Sequence, residues 1–160
     1  MMRLLCTLAL FLATSLVQAA DASAFFASAL PDLRNQPMPM AQFKGKPVVV
    51  NFWAEWCKPC RKEIPEFVAL AERAGDRLTV VGVSLDDYAD ESAEFASSLG
   101  INYPLAFAGA ADGIDLMRAL GNAQGGIPFT AIIDANGEVV FAKLGLMSAE
   151  ALEEATRGLY

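Results

Sequence analysis

Histidine is absent from the 160 residues. That absence excludes imidazole acid–base machinery, proximal-histidine haem ligation, and zinc or copper sites that rely on imidazole. Cysteine is scarce, with three residues, too few for the several bridges that staple a small secreted scaffold. Positive charge is also in deficit: 12 Lys and Arg against 19 Asp and Glu leave a net −7, which argues against nucleic acid or an anionic membrane surface as primary partner. No apolar run reaches the ~20 residues of a comfortable membrane span.

The longest such run, Leu4 to Val17, follows Arg3 and ends in Val17-Gln18-Ala19, the small-residue pattern of a secretory leader. The expected division is a signal peptide over 1–19, cleaved after Ala19 or Ala20, and one domain over 20–160; an uncleaved membrane anchor is the alternative. Cys6 falls within the leader as an apolar filler. Without the leader's Arg3 the balance becomes 11 − 19 = −8, and the two remaining thiols are Cys57 and Cys60.

Those two thiols lie in Trp53-Ala54-Glu55-Trp56-Cys57-Lys58-Pro59-Cys60, directly after the apolar run Val48–Trp53 and before a segment of helical spacing. Pro59 suits a first helical turn, where a missing N–H costs little. Three residues apart on one helical face, the cysteines can form and open a disulfide without large strain. Cys57, at the positive end of the helix beside Lys58, is the candidate nucleophile, and Cys60 the resolving thiol. A structural disulfide or half of a metal site is the competing reading.

Along the chain, 21–30 shows weak periodicity and reads as a loosely held lead-in. Residues 31–43, with Pro37 and Pro39 at alternate positions, read as an edge hairpin or extended arm, with Met38 and Met40 packing on the core rather than binding a soft metal. Strands are expected at 48–53 and 78–83, the second parallel to the first. Ile64, Phe67, Val68 and Ala71 mark the buried stripe of the intervening helix, and Pro65 predicts a kink. Between Ser84 and Ala108 a short helix capped by Asp90 or Ser92 places Phe95, Ala96 and Leu99 inward, followed by an extended Ile101–Leu105. Another helix is expected over Ile114–Leu120, then a hairpin joining 130–134 to Glu138–Leu144 through Asn136-Gly137, then a helix capped by Ser148. That order suits a central mixed sheet covered on both faces.

The run KGKPVVVNFWAEWCKPCRKEIPE, Lys44–Glu66, resembles the thioredoxin superfamily and, within it, the TlpA/ResA/DsbE-like extracytoplasmic thiol-disulfide oxidoreductases; the likeness extends over about 30–159. The resemblance implies an α/β thioredoxin-like fold with an N-terminal extension and a central helical insert. It implies a cis-proline at Pro128 facing the dithiol, with Ile127 offering backbone groups to an incoming extended peptide; Trp56 joins them as the candidate substrate-binding set, and Lys58 and Pro59 form the active-site loop. Glu63 matches a glutamate that tunes the thiols in ResA-like proteins, whereas an exposed helix charge is its bland reading. Asn51 departs from cytoplasmic thioredoxins, which carry a buried aspartate there.

The activity so implied is thiol-disulfide exchange in the periplasm or an equivalent space, reducing disulfide-containing substrate proteins, with a membrane thiol-disulfide donor restoring the dithiol. Some members of the group reduce apocytochrome c or copper-site cysteines. No cofactor and no resident metal is called for, and a monomer is expected. A Cu(I) carrier using the same two thiolates, and a thioredoxin-fold binding module without turnover, are the alternatives.

Overall fold

The computed structural model describes residues 20–88 and 92–160, so the expected leader, with Cys6, and the Asp90 cap lie outside the described residues. The described chain opens with a short helix, α1 (Ser23–Ala27), where a loosely held lead-in is expected. The difference is tertiary in origin. Asp21 accepts hydrogen bonds from the Ser23 amide (2.8 Å) and hydroxyl (2.6 Å), and its own amide bonds the Ala119 carbonyl. Phe25 and Phe26 are then buried, edge to face at 5.3 Å. Two adjacent phenylalanines carry no helical period, so the pattern alone does not mark this turn.

Strands β1 (Ala29–Pro31) and β2 (Pro37–Pro39) form a separate antiparallel hairpin. Pro37 and Pro39 cannot donate to a ladder, which restricts them to such an edge. Asp32 closes the turn by accepting from the amides of Arg34 and Gln36, and Asn35 takes the left-handed conformation (φ 55°). A 3₁₀ turn over Met40–Phe43 follows, in which Met40 is fully buried and serves as core packing.

The main sheet begins with β3 (Val48–Trp53), every residue of which is buried. Helix α2 (Lys58–Ala74) returns the chain to β4 (Thr79–Ser84), parallel to β3 as expected. After α3 (Ser92–Ser98), a fifth strand that the sequence leaves merely extended, β5 (Leu105–Phe107), pairs parallel with β4. Helix α4 (Gly109–Ala119) starts five residues before the expected boundary. Its first turns hold Gly109 and Gly113, poor helix formers that hide the start. Gly113 is tolerated because a Cβ there would approach Leu85 Cγ to 3.2 Å.

Strands β6 (Phe129–Ile133) and β7 (Val139–Leu144) complete the order β5-β4-β3-β6-β7, with β6 antiparallel to both neighbours. The Asn136-Gly137 turn is as expected: Gly137 has φ 90°, and Asp134 accepts from the amides of Asn136 and Glu138. Helix α5 (Ala149–Thr156) is capped by Ser148 Oγ, which accepts from the Ala151 amide. Burial along the whole of β3 and β6 shows both faces of the sheet covered, the arrangement of a mixed α/β thioredoxin-like fold.

One correction bears on the site. The buried stripe of α2 is Cys60, Glu63, Ile64, Phe67, Leu70 and Ala74, with Val68 and Ala71 only half-buried. The stripe is rotated toward the thiols and takes in an acid. Pro65 lies on the exposed side, and the helix continues through it, the Arg61 carbonyl forgoing its helical bond.

If α1 is part of the core, Phe25→Ala removes a fully buried ring and lowers unfolding stability by about 3 kcal/mol. Urea unfolding monitored by tryptophan fluorescence measures it, and a loss below about 0.5 kcal/mol, the range of surface changes, would return 21–30 to a loose lead-in.

Candidate active site

The site is built at the handover from β3 to α2. Cys57 is the N-cap of α2, with Pro59 in the first turn, and it forms a disulfide with Cys60, their Cα atoms 5.3 Å apart. The Cys57 sulfur accepts a hydrogen bond from the Cys60 amide at 3.2 Å. One of the unpaired N–H groups of the helix start is thereby spent on sulfur, which favours a negative charge there once the disulfide opens. Cys57 is 4% exposed and Cys60 fully buried, so what little sulfur surface the pair offers belongs to the first. Lys58 and Pro59 are exposed, and Trp56 projects with 68% of its surface open to solvent.

The loop carrying these residues is pinned from beneath. Asp86, just beyond β4, accepts from the Glu55 amide at 2.7 Å and from Ser84 Oγ at 3.0 Å. Trp53 stacks on Phe95 of α3, with ring centroids 6.1 Å apart and planes within 9°. The helical insert therefore buttresses the strand that presents the dithiol. Asp86 is absent from the sequence-based candidates; its signal was position, an acid directly after a parallel strand, where functional loops gather.

On the neighbouring strand, Phe52 pairs with Phe129, which places Pro128 beside the end of β3. The Ile127–Pro128 bond is cis, Pro128 is buried, Ile127 is half-buried, and the Pro128 carbonyl accepts from the Gly145 amide at 2.8 Å. Asn122 holds the approach to this turn, donating to the Gly126 carbonyl and accepting from the Gly125 amide. Nothing in the sequence distinguishes Asn122 from any loop asparagine.

Glu63 is fully buried, so its reading as a solvated helix charge is set aside. Its Oε1 accepts from Asn51 Nδ2 at 2.7 Å and its Oε2 from the Met147 amide at 2.8 Å. Burial pushes its carboxyl above the usual range, against the Met147 and Asn51 hydrogen bonds and the positive charge of Lys143. Burial also pushes the Tyr103 hydroxyl up, with a further contribution from Glu63. Met147 acts through its backbone amide, which no side-chain pattern reveals. Among the described residues no group of three or more His, Cys, Asp or Glu is arranged to hold a metal.

The AhpC/TSA family model matches residues 21–142. The thiol-disulfide oxidoreductase ResA of Geobacillus kaustophilus is 33% identical over 129 residues, 78% of this chain and 69% of that protein. Among solved structures, a DsbF homologue from Corynebacterium diphtheriae superposes with a TM-score of 0.70 at 27% identity, covering 82% of this chain and 86% of that one. StoA from Bacillus subtilis superposes with a TM-score of 0.63 at 25% identity, covering 81% and 95%. With this fold and a Cys57–Cys60 disulfide at the start of α2, the chain belongs to the AhpC/TSA family and, within it, is a thiol-disulfide oxidoreductase of the ResA/DsbE type.

Proposed function

We propose that this oxidoreductase works outside the cytoplasm as a reductant of particular disulfide-bearing proteins, with Cys57 as nucleophile and Cys60 as resolving thiol. The observation that carries the division of labour is the hydrogen bond from the Cys60 amide to the Cys57 sulfur at the helix start, on the more accessible of the two cysteines. The Cys57 thiolate attacks one sulfur of a substrate disulfide; the other substrate sulfur leaves as a thiolate and takes a proton. Cys60 then loses its proton and attacks Cys57, releasing the second substrate thiolate. Two electrons pass to the substrate, and the chain is left as the disulfide. A thiol-disulfide donor at the membrane restores the dithiol.

The reducing direction follows the ResA/DsbE resemblance. The extracytoplasmic setting rests on that likeness and on the leader-like Arg3–Ala19 run, with a membrane anchor as the alternative fate of that segment. Trp56, Ile127 and Pro128 form the substrate-docking set in this reading: an extended peptide laid along Ile127 pairs with backbone groups there, as in strand addition. Trp56 supplies apolar contact at the rim. Glu63 tunes the thiols from one helical turn away. The acidic balance of the chain leaves proteins, not nucleic acid, as partners, and one copy holds the whole site.

Cys60→Ser cannot resolve and is expected to accumulate substrate on Cys57 as an adduct released by dithiothreitol; absence of any thiol-dependent adduct or turnover with disulfide substrates would defeat the redox reading. In glutathione or dithiothreitol buffers the pair should equilibrate near or below about −250 mV, and a value near about −120 mV would reverse the direction to oxidation. Trp56→Ala should leave stability within about 0.5 kcal/mol of the parent because the ring is exposed, while raising KM for a protein substrate; an unchanged KM would remove Trp56 from the docking set.

A fourth expectation concerns pH. A carboxyl raised on folding binds more protons in the folded than in the unfolded state between its two pKa values. Stability is therefore greatest below the unfolded Glu63 pKa and falls as pH rises through the folded one. Urea unfolding across that window should show this decline in the parent and lose it in Glu63→Gln; parallel profiles would mean that folding does not raise the Glu63 carboxyl.

A further inference from the structure

Two buried side-chain atoms on neighbouring strands, Asn51 Oδ1 of β3 and Thr130 Oγ1 of β6, have no hydrogen-bond partner. Both residues are fully buried, and they are directly paired across β3 and β6. Unpaired buried polar atoms are costly, and two of them on adjacent strands, next to a buried acid, call for an explanation. The third member is in place, since Asn51 Nδ2 already donates to Glu63 Oε1 at 2.7 Å.

We propose that Asn51 and Thr130 form a reversible hydrogen-bond chain that lets Glu63 take up and release a proton inside the core. The chemistry of the three groups fits. Ionised Glu63 needs donors and receives Asn51 Nδ2–H; the Asn51 carbonyl is then free to accept from the Thr130 hydroxyl. Protonated Glu63 needs an acceptor for its new O–H, and a half-turn of the Asn51 amide supplies Oδ1 while swinging Nδ2–H to the Thr130 oxygen. A hydroxyl can donate or accept, so Thr130 serves both orientations. As cross-strand partners, Asn51 and Thr130 carry their side chains on the same face of the sheet, which puts the two orphan atoms within range of direct pairing or of one bridging water.

The proton itself moves between the Glu63 carboxyl and solvent, or a thiolate sulfur set free when the disulfide opens. Asn51 and Thr130 keep their own protons and only reverse which atom donates. An aspartate at position 51 would put a second carboxyl against Glu63 and compete for the proton; an asparagine cannot ionise and instead adapts to either state. Asn51 and Thr130 are thus positioning residues, acting on the thiols through Glu63. The other titratable groups that interact with Glu63 are Lys143 of β7, the cross-strand partner of Thr130, and Tyr103 ahead of β5, while Cys60 precedes it by three residues on α2. Lys143 favours the ionised state by its charge, and the Met147 amide donates to the second oxygen in both states.

The inference rests on Cys57–Cys60 being a working dithiol, but its test does not need turnover. In the full chain labelled on Glu and Asn, the Glu63 carboxyl and the Asn51 side-chain amide are followed by NMR from about pH 4 to about pH 10, oxidised and reduced. The Asn51 amide resonances are expected to move with the same midpoint as the Glu63 carboxyl. Asn51→Leu, which removes the donor to the ionised form, is expected to raise that midpoint by about one pH unit or more. Constant Asn51 resonances across the Glu63 titration, or no titration of Glu63 over the range, overturn the proposal in the parent protein, where folding is not in question. A midpoint unmoved in a folded Asn51→Leu does the same. Disulfide exchange that persists with a static Asn51 defeats this inference alone, whereas failure of the Cys60→Ser trap defeats the redox reading and leaves the resonances unaffected.

Discussion

The strand Val48–Trp53 is buried at all six positions, and the arrangement of the site depends on that constraint. A strand dry on both faces must have all its ladder bonds made, here by β4 on one side and β6 on the other. With its position settled, its last residue delivers the Trp53–Cys60 loop to one end of the sheet, and α2 starts there. The sulfur of Cys57 then meets a helix N-terminus as a consequence of where the strand stops.

The same burial gives Asn51 and Glu63 their character. Asn51 occupies an inward position of β3, and Glu63 lies on the face of α2 that packs over the sheet, so each must find its partner within the core. They find one another, and the segment after β7 contributes the Met147 amide to the same carboxylate. A carboxyl that would be unremarkable on an exposed helix face is held, without water, above the usual range by burial and satisfied only by partners inside the core. The Pro128 carbonyl and the Glu63 carboxylate together hold the 145–147 segment by accepting from the Gly145 and Met147 amides, so the two halves of the site are tied through that segment.

The parts nearest the dithiol are held by groups remote in sequence. Asp86 secures the Glu55 amide from beyond β4, Phe95 of the insert backs Trp53, and Asn122 steadies the turn before Pro128. Redox cycling asks little motion of the main chain, because Cys57 and Cys60 already lie three residues apart on one helical turn. A firm support is therefore compatible with function, and Trp56 beside Cys57 stands exposed to solvent.

Local chemistry was enough to read much of this in one dimension. The Cys57–Cys60 pair at a strand–helix junction, β3 with its bounds, the Asn136-Gly137 hairpin and the Ser148 cap each depend on residues within a few positions of one another, and the absence of histidine narrows the chemistry without any fold. What the tertiary structure alone decided are burial and pairing across distance. The α1 turn is held by contacts with α4, the early start of α4 is hidden by two glycines, Gly109 at a positive φ and Gly113 close against Leu85, and β5 is too short to declare itself. Glu63 changed most: its sequence neighbours allowed either a solvated charge or a tuning acid, and only the packing of α2 over β3 removed water and supplied Asn51 and Met147 from 12 and 84 residues away.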